Sequence, residues 1–454
     1  MTPAPPSDAA TPGIVIAAPA SGSGKTLVTL GLLRHFRDAG INVASAKVGP
    51  DYIDPAFHAA AGGRTCVNLD LWAMRAETRT ASLADAAKGA ELIVCEGVMG
   101  LFDGAHLDEG STAHAARDTG WPVILVVDAK AQGASAAALV AGFARHRADV
   151  TVAGVIFNRT GSARHADILR DAMAADLPEI PVLGCLPRLD DLFLPERHLG
   201  LVQAQEHGDL DAFISAAAAA VAAHLDTDAL RDLARIGRAA PKTEATPAIP
   251  PLGRKIAVAR DAAFSFVYPH VLDGWRRAGA EIAPFSPLDG QGPADDADAV
   301  YLPGGYPELH AGRIAASRGF LGGLRGFADA GKPVFGECGG YMVLGGSLTD
   351  ADGVRHAMAG LLPVDTSFAE RKLHLGYRRA MLIADSPLGA AGTALRGHEF
   401  HYATILAEDL GPNRDAPLFQ ASNARGEDMG VMGRVRGTVM GSFIHLIDRE
   451  DSGA

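Results

Sequence analysis

The sequence predicts an α/β protein of two domains, and three observations carry that. Apolar runs of strand length alternate with helix-patterned stretches along most of the chain. The 454 residues are too many for one hydrophobic core. A Pro-rich stretch, Pro241 to Pro251, separates two such alternating series. The expected organisation is a disordered tail over 1–12, a first domain over 13–239, a linker over 240–254 and a second domain over 255–450.

Composition narrows the partners. Hydrophobic residues make up 48% of the chain, which is globular. A net charge of −12 argues against nucleic acid as the main partner, and an anionic substrate would need local basic groups. The four cysteines, Cys66, Cys95, Cys185 and Cys338, show neither C-x-x-C spacing nor a disulfide framework, which suits a reducing cytosol. Met1 to Pro12 lacks a basic-then-apolar signal pattern. The Ala-rich run Ile214 to His224 is too short to span a bilayer, so a cytoplasmic protein with no membrane partner is expected.

The first strand, Gly13 to Ala18, leads into Pro19-Ala20-Ser21-Gly22-Ser23-Gly24-Lys25-Thr26, and a helix pattern follows over Leu27 to Phe36. Strand, glycine-rich turn and Gly-Lys-Thr at a helix start form a phosphate-binding loop, here with Pro19 where the pattern usually has its first glycine. Backbone N–H groups of Ser23 and Gly24, the helix N-terminus and Lys25 face an anion, and Thr26 offers a hydroxyl to Mg²⁺. A second strand, Ile41 to Val48, ends in Lys47-Val48-Gly49-Pro50-Asp51-Tyr52-Ile53-Asp54. Polar clusters at strand ends are where open α/β sheets bind ligands; a solvated turn is the alternative. Glu91 to Cys95 is a third strand, with Glu96 at its tip ahead of Gly97-Val98-Met99-Gly100-Leu101-Phe102-Asp103. Downstream of a phosphate loop that acid is placed as a metal ligand, with a turn cap as the alternative. Strands over Trp121 to Asp128, Val152 to Phe157 and Pro181 to Leu186 follow, with a helix over Gly133 to Arg147. A mainly parallel sheet is therefore expected. Asn158 at a strand tip either reads an adenine edge or closes a turn. His198 to Leu201 reads as a further loop, and Asp226 to Ala239 as a helix.

The second series begins at Lys255 to Ala259. Ala299 to Leu302 ends in Pro303-Gly304-Gly305, and Pro333 to Phe335 ends in Gly336-Glu337-Cys338-Gly339-Gly340. G-x-C-x-G is a nucleophile elbow with Cys in place of Ser. Its thiol is expected at a helix N-terminus, with a lowered pKa. Backbone N–H groups of Gly339 and Gly305 are the expected oxyanion hole. Gly441 to His445 delivers His445 as the base, with His398 and His401 as competitors.

Together these motifs resemble the cobyrinic acid / hydrogenobyrinic acid a,c-diamide synthase family along the whole chain. The first domain is similar to dethiobiotin synthetase and the second to class I glutamine amidotransferases. The resemblance implies ATP- and glutamine-dependent amidation of the a and c acetate carboxylates of a corrin, through acyl phosphates, in cobalamin biosynthesis. It implies Lys25 and Thr26 at the phosphates, and Thr26, Asp54 and Glu96 as Mg²⁺ ligands. Lys47 would face the reacting carboxylate, with Asp51, Tyr52 and Asp103 at substrate and Asn158 at adenine. Cys338 and His445 match the glutaminase pair. In ordinary class I glutaminases the histidine is followed two residues later by glutamate; here that position is Ile447, and Asp448 lies one further, so the third member of the triad is left open. Cobyric acid synthase and nickel-sirohydrochlorin a,c-diamide synthase share the architecture. A partition-type P-loop ATPase is the reading from another class, against which the Cys338 elbow speaks. A homodimer is left open.

Overall fold

The computed structural model describes residues 11–107, 109–189, 192, 196–197, 200–201, 208–237, 246–408 and 416–451. The chain divides into two compact units. One comprises 1–72, 79–196 and 201–244; the other comprises 73–78, 197–200 and 245–454. The short segment Ala73–Thr78 thus belongs with the C-terminal half, an assignment that no local pattern foretells. The loop expected at His198 to Leu201 lies largely outside the described residues, as do most of the tail and the first part of the linker.

In the first unit, β1 (Pro12–Ala17), β2 (Val43–Val48), β3 (Val67–Leu69), β4 (Leu92–Glu96), β5 (Val123–Asp128), β6 (Val152–Thr160) and β7 (Val182–Pro187) lie in the order β3-β2-β4-β1-β5-β6-β7. Every pairing along that path is parallel. Strands covered on both faces must be apolar throughout, and β1, β2 and β4 are buried over nearly their whole length. Helices α1 (Lys25–Asp38) and α2 (Asp54–Gly62) start at the C-terminal ends of β1 and β2. The strand order reverses at β1, so the crevice beyond its C-terminal end is the ligand position of such a sheet. The helix expected over Asp226 to Ala239 runs only over Thr227–Leu233. The chain then extends, and Arg235–Ile236 pairs antiparallel with the start of β1.

The second unit begins as expected and then departs from alternation. Parallel strands Glu281–Phe285, Lys255–Ala259, Ala299–Leu302, Val334–Glu337 and Val439–Ser442 lie side by side. After the helix Gly339–Leu344 the described chain is built from strands alone. The sheet continues antiparallel through Asp428–Arg436, Ala416–Asn423, His374–Leu382, Ala394–His401 and Ile444–Arg449. Four short strands form a separate sheet. The later part of the linker is not a solvated spacer. Ala248, Ile249 and Leu252 are buried, and the Trp275 indole donates to Ile249 O at 3.0 Å. Apolar side chains in a Pro-rich stretch dock where they find a partner surface.

Candidate functional site

The first site is built on the C-terminal ends of β1, β2 and β4. Gly24 takes φ +98°, and a Cβ there would lie 2.1 Å from the Asn158 amide nitrogen, so glycine is required on both counts. Asn158 donates to Ser23 O at 2.9 Å while its own oxygen accepts from Arg159 N. It braces the loop in this structure. Lys25 donates to Met99 O at 2.6 Å, and Met99 itself has φ 46°. Burial pulls the Lys25 pKa down to about 8.

Glu96, fully buried at the end of β4, is the hub. Its Oε1 accepts from Thr26 Oγ1 at 2.7 Å and from Lys47 Nζ at 2.8 Å, and its Oε2 meets His58 Nε2 at 2.7 Å. Lys47 also donates to Asp54 Oδ2 at 2.5 Å. Burial works against the Lys47 charge, but Asp54 and Glu96 more than offset it and hold its pKa well above the ordinary value. Burial likewise opposes ionised Glu96, yet Lys47 and His58 hold its carboxyl far below the usual range. Two carboxylates share one ammonium here. The second is left short of charge, and burial together with Asp51 pushes Asp54 up to about 7.

The structure thus gathers Lys25, Thr26, Lys47, Asp54 and Glu96 at one place. Asp51 accepts from Ile53 N and Asp54 N and fixes the start of α2. Tyr52 is buried beside it. Asp103 accepts from Gly100 N at 3.0 Å, closing the turn after β4. Sequence reasoning missed His58. Its spacing of four from Asp54 puts both on one face of α2, which was the available signal.

The second site lies wholly in the second unit. Cys338 has φ 46° and ψ −104°, a strained non-glycine conformation at a strand-to-helix turn, as an elbow demands. Its N–H donates to Ser442 O at 2.8 Å. A Cβ on Gly339 would lie 3.1 Å from Gly305 N, so the two expected oxyanion donors stand together. A Cβ on Gly304 would lie 2.2 Å from the His445 ring, which packs directly on that turn. The thiol corrects an expectation. Burial raises the Cys338 pKa far above the ordinary value, with Glu308 adding to it. The Gly339 N–H at the start of the following helix works the other way but does not offset burial. Burial, helped by His398 and His401, likewise lowers His445 to about 3.

His398 is the Cα partner of His445 on the neighbouring strand and is also lowered by burial to about 3. His401 is engaged otherwise. Its Nδ1 faces Ala403 O, its Nε2 faces Glu399 Oε1 at 2.9 Å, and its ring stacks on Phe443. Arg378 binds the other Glu399 oxygen through Nε at 2.8 Å and a terminal nitrogen at 2.6 Å. Potential ligand atoms of His374, Glu399 and His401 lie within 4.8 Å of one another, but the Arg378 guanidinium already neutralises the carboxylate. A cavity of about 370 Å³ takes in Tyr341, Lys372, His374, Glu399, His401 and Phe443. Asp448 does not turn to His445. Its carboxylate accepts from Arg75 Nε and Arg75 N, both at 2.9 Å. Sequence reasoning also passed over Glu337, which is buried and accepts from Tyr301 OH at 2.6 Å and Leu446 N at 2.9 Å.

Among the described residues no helix is long and apolar enough to cross a membrane. Residues 14–202 match the CobQ/CobB/MinD/ParA nucleotide binding domain, and residues 255–452 match the CobB/CobQ-like glutamine amidotransferase domain. The hydrogenobyrinate a,c-diamide synthase of Rhodobacter capsulatus is 56% identical over 96% of this chain and 98% of its own length. Enzymes of the same name from Brucella anthropi and a Sinorhizobium species are 54% and 53% identical, each over 96% of this chain and 98% of their own. A nucleotide-binding unit and a glutaminase-type elbow in one chain, matched along nearly its entire length, place this protein in the hydrogenobyrinate a,c-diamide synthase family.

Proposed function

We infer that this chain is a glutamine-hydrolysing, ATP-dependent carbon–nitrogen ligase that amidates the a and c acetate carboxylates of hydrogenobyrinic acid. The observation that carries the reading is near-full-length identity above one half to an enzyme of that name. The geometry supports it. The phosphate loop with Lys25 receives the ATP phosphates. A substrate carboxylate attacks the γ-phosphorus, ADP leaves, and an acyl phosphate results. Lys47 pairs with the incoming carboxylate, and Asp51, Tyr52 and Asp103 line its approach. Asn158, which holds the loop through Ser23 O, gives up that contact to read the base of the nucleotide.

Thr26, Asp54 and Glu96 present only hydroxyl and carboxylate oxygens, a donor set that fits Mg²⁺. They would hold the ion, which when bound supplies positive charge to the phosphate oxygens. In the second unit Cys338 sulfur attacks the glutamine side-chain carbonyl and His445 hands a proton to the departing ammonia. Gly305 and Gly339 N–H groups receive the oxyanion, and water then releases glutamate from the thioester. Ammonia displaces phosphate from the acyl phosphate to give the amide. His445 takes the thiol proton as the sulfur attacks and returns it to the leaving ammonia.

Incubation with hydrogenobyrinic acid, glutamine, Mg²⁺ and ATP, read by mass, tests the reading. Conversion of two carboxyls to amides with matching ATP consumption is expected. Amidation at other side chains, or ATP hydrolysis with unchanged corrin, would reject it.

A further inference from the structure

Ordinary class I glutaminases carry a glutamate two residues after their histidine, and here that position is Ile447. The next acid, Asp448, is spent on Arg75. Neither position therefore supplies the acid of the ordinary triad. The strand topology makes the problem sharper. The nucleophile strand Val334–Glu337 pairs in backbone register with Val439–Ser442, and that pairing ends at Glu337 and Ser442. His445 lies beyond, on Ile444–Arg449, whose backbone partner is the hairpin strand Ala394–His401. The histidine's strand is thus hydrogen-bonded to a different neighbour from the one that bears the thiol.

Glu337 bridges that division. It immediately precedes Cys338, is 2% exposed, and sends its Oε1 to Leu446 N at 2.9 Å. Leu446 N belongs to the peptide that follows the His445 Cα, so anchoring it sets the backbone from which the imidazole projects. Its other oxygen is held by Tyr301 OH at 2.6 Å, so the carboxyl cannot swing away. A carboxyl buried at this depth is costly, and burial pushes Glu337 up to about 7 despite both hydrogen bonds. An apolar residue ahead of the nucleophile would avoid that cost.

We propose that Glu337 is the positioning residue of the glutaminase site, setting His445 against Cys338 through the backbone at Leu446. The proposal rests on the glutaminase reading of Cys338 and deepens it. Positioning by hydrogen bond makes a specific demand. Glutamine at 337 can still accept from Leu446 N while Tyr301 OH turns to accept from the new amide, whereas alanine breaks the link.

The test measures glutamine-dependent and ammonium-dependent amidation for Glu337→Ala, Glu337→Gln and Cys338→Ala. Ammonium-dependent turnover does not use the glutaminase site and reports folded protein in the same sample. Glu337→Ala should lose about a hundredfold in kcat with glutamine, the scale of an ångström of misplacement, with KM for glutamine within about twofold. Glu337→Gln should recover to within about tenfold of the parent. Three results would overturn the proposal: unchanged kcat in Glu337→Ala, a rise in KM at constant kcat, or equal loss with both nitrogen sources. Failure of Glu337→Gln to recover, while its ammonium-dependent turnover holds, would also overturn it. Glutamine use persisting in Cys338→Ala would instead remove the underlying reading.

Discussion

Cys338 is held in a strained backbone, and burial in the same enclosure pushes its thiol pKa up. Without substrate, its thiolate should therefore be scarce at neutral pH. A raised pKa means the thiolate fraction grows only as pH passes above the ordinary thiol range. The alkylation rate of Cys338 by iodoacetamide, followed by peptide mass, should climb steadily through pH 9. A plateau between pH 6 and 7 would contradict the buried, protonated thiol. Candidate positions were legible in sequence where a local pattern encodes them. Lys25 and Thr26 belong to a contiguous loop, and Glu96 caps an apolar run. Glu337 was not, because in G-x-C-x-G it occupies a position the pattern leaves free, and its partner is Leu446, which only the fold brings near.

The loop between β1 and α1 is shaped by what glycine lacks. Gly24→Ala would drive a methyl into Asn158 and strain a left-handed backbone. Nucleotide affinity, measured by calorimetry with ADP, should fall at least tenfold, while glutamine hydrolysis remains measurable. Unchanged affinity would mean the loop does not cradle phosphate. In the antiparallel half, the hairpin His374–Leu382 and Ala394–His401 carries the Arg378–Glu399 pair. Burial opposes the Glu399 charge, but His401 and Arg378 prevail and lower its pKa from 4.5 to about 2. A lowered folded-state pKa stabilises above the unfolded value, and the gain is lost as pH falls through the folded one. Wild type should therefore exceed Glu399→Gln by about 3 kcal/mol in urea unfolding at pH 7, with the gap shrinking between about pH 4.5 and 2. A pH-independent gap would assign the effect to shape. These strands were hard to read beforehand, since glycines and charges interrupt the alternation that marks a half-buried strand.

For the whole molecule, the two chemistries should separate by mutation. Cys338→Ala should abolish glutamine-dependent amidation and leave it recoverable with high ammonium at mildly alkaline pH. Lys25→Ala should lose amidation from both sources, since either nitrogen needs the activated carboxylate. Product mass with each source decides it, and full glutamine-dependent activity in Cys338→Ala would reject the nucleophile. The division into two α/β units was legible from alternation and from the Pro-rich break. The affiliation of Ala73–Thr78 was not, because Arg75 and Asp448 are separated by most of the chain.

That affiliation bears on how a gene of this kind can be cut. Fission at the Pro-rich break would assign Arg75 to the upstream polypeptide and Asp448 to the downstream one. The downstream product would then keep Asp448, buried in the whole chain, without the guanidinium that pairs with it. Such an uncompensated charge costs about 3–5 kcal/mol, a large share of a domain's stability. A fragment of residues 245–454 should accordingly be recovered in poor soluble yield, and Asp448→Asn should improve it. Equal yields would show the fragment to be self-sufficient. Separation into two polypeptides would break the Arg75–Asp448 pair, a loss that the single chain does not meet.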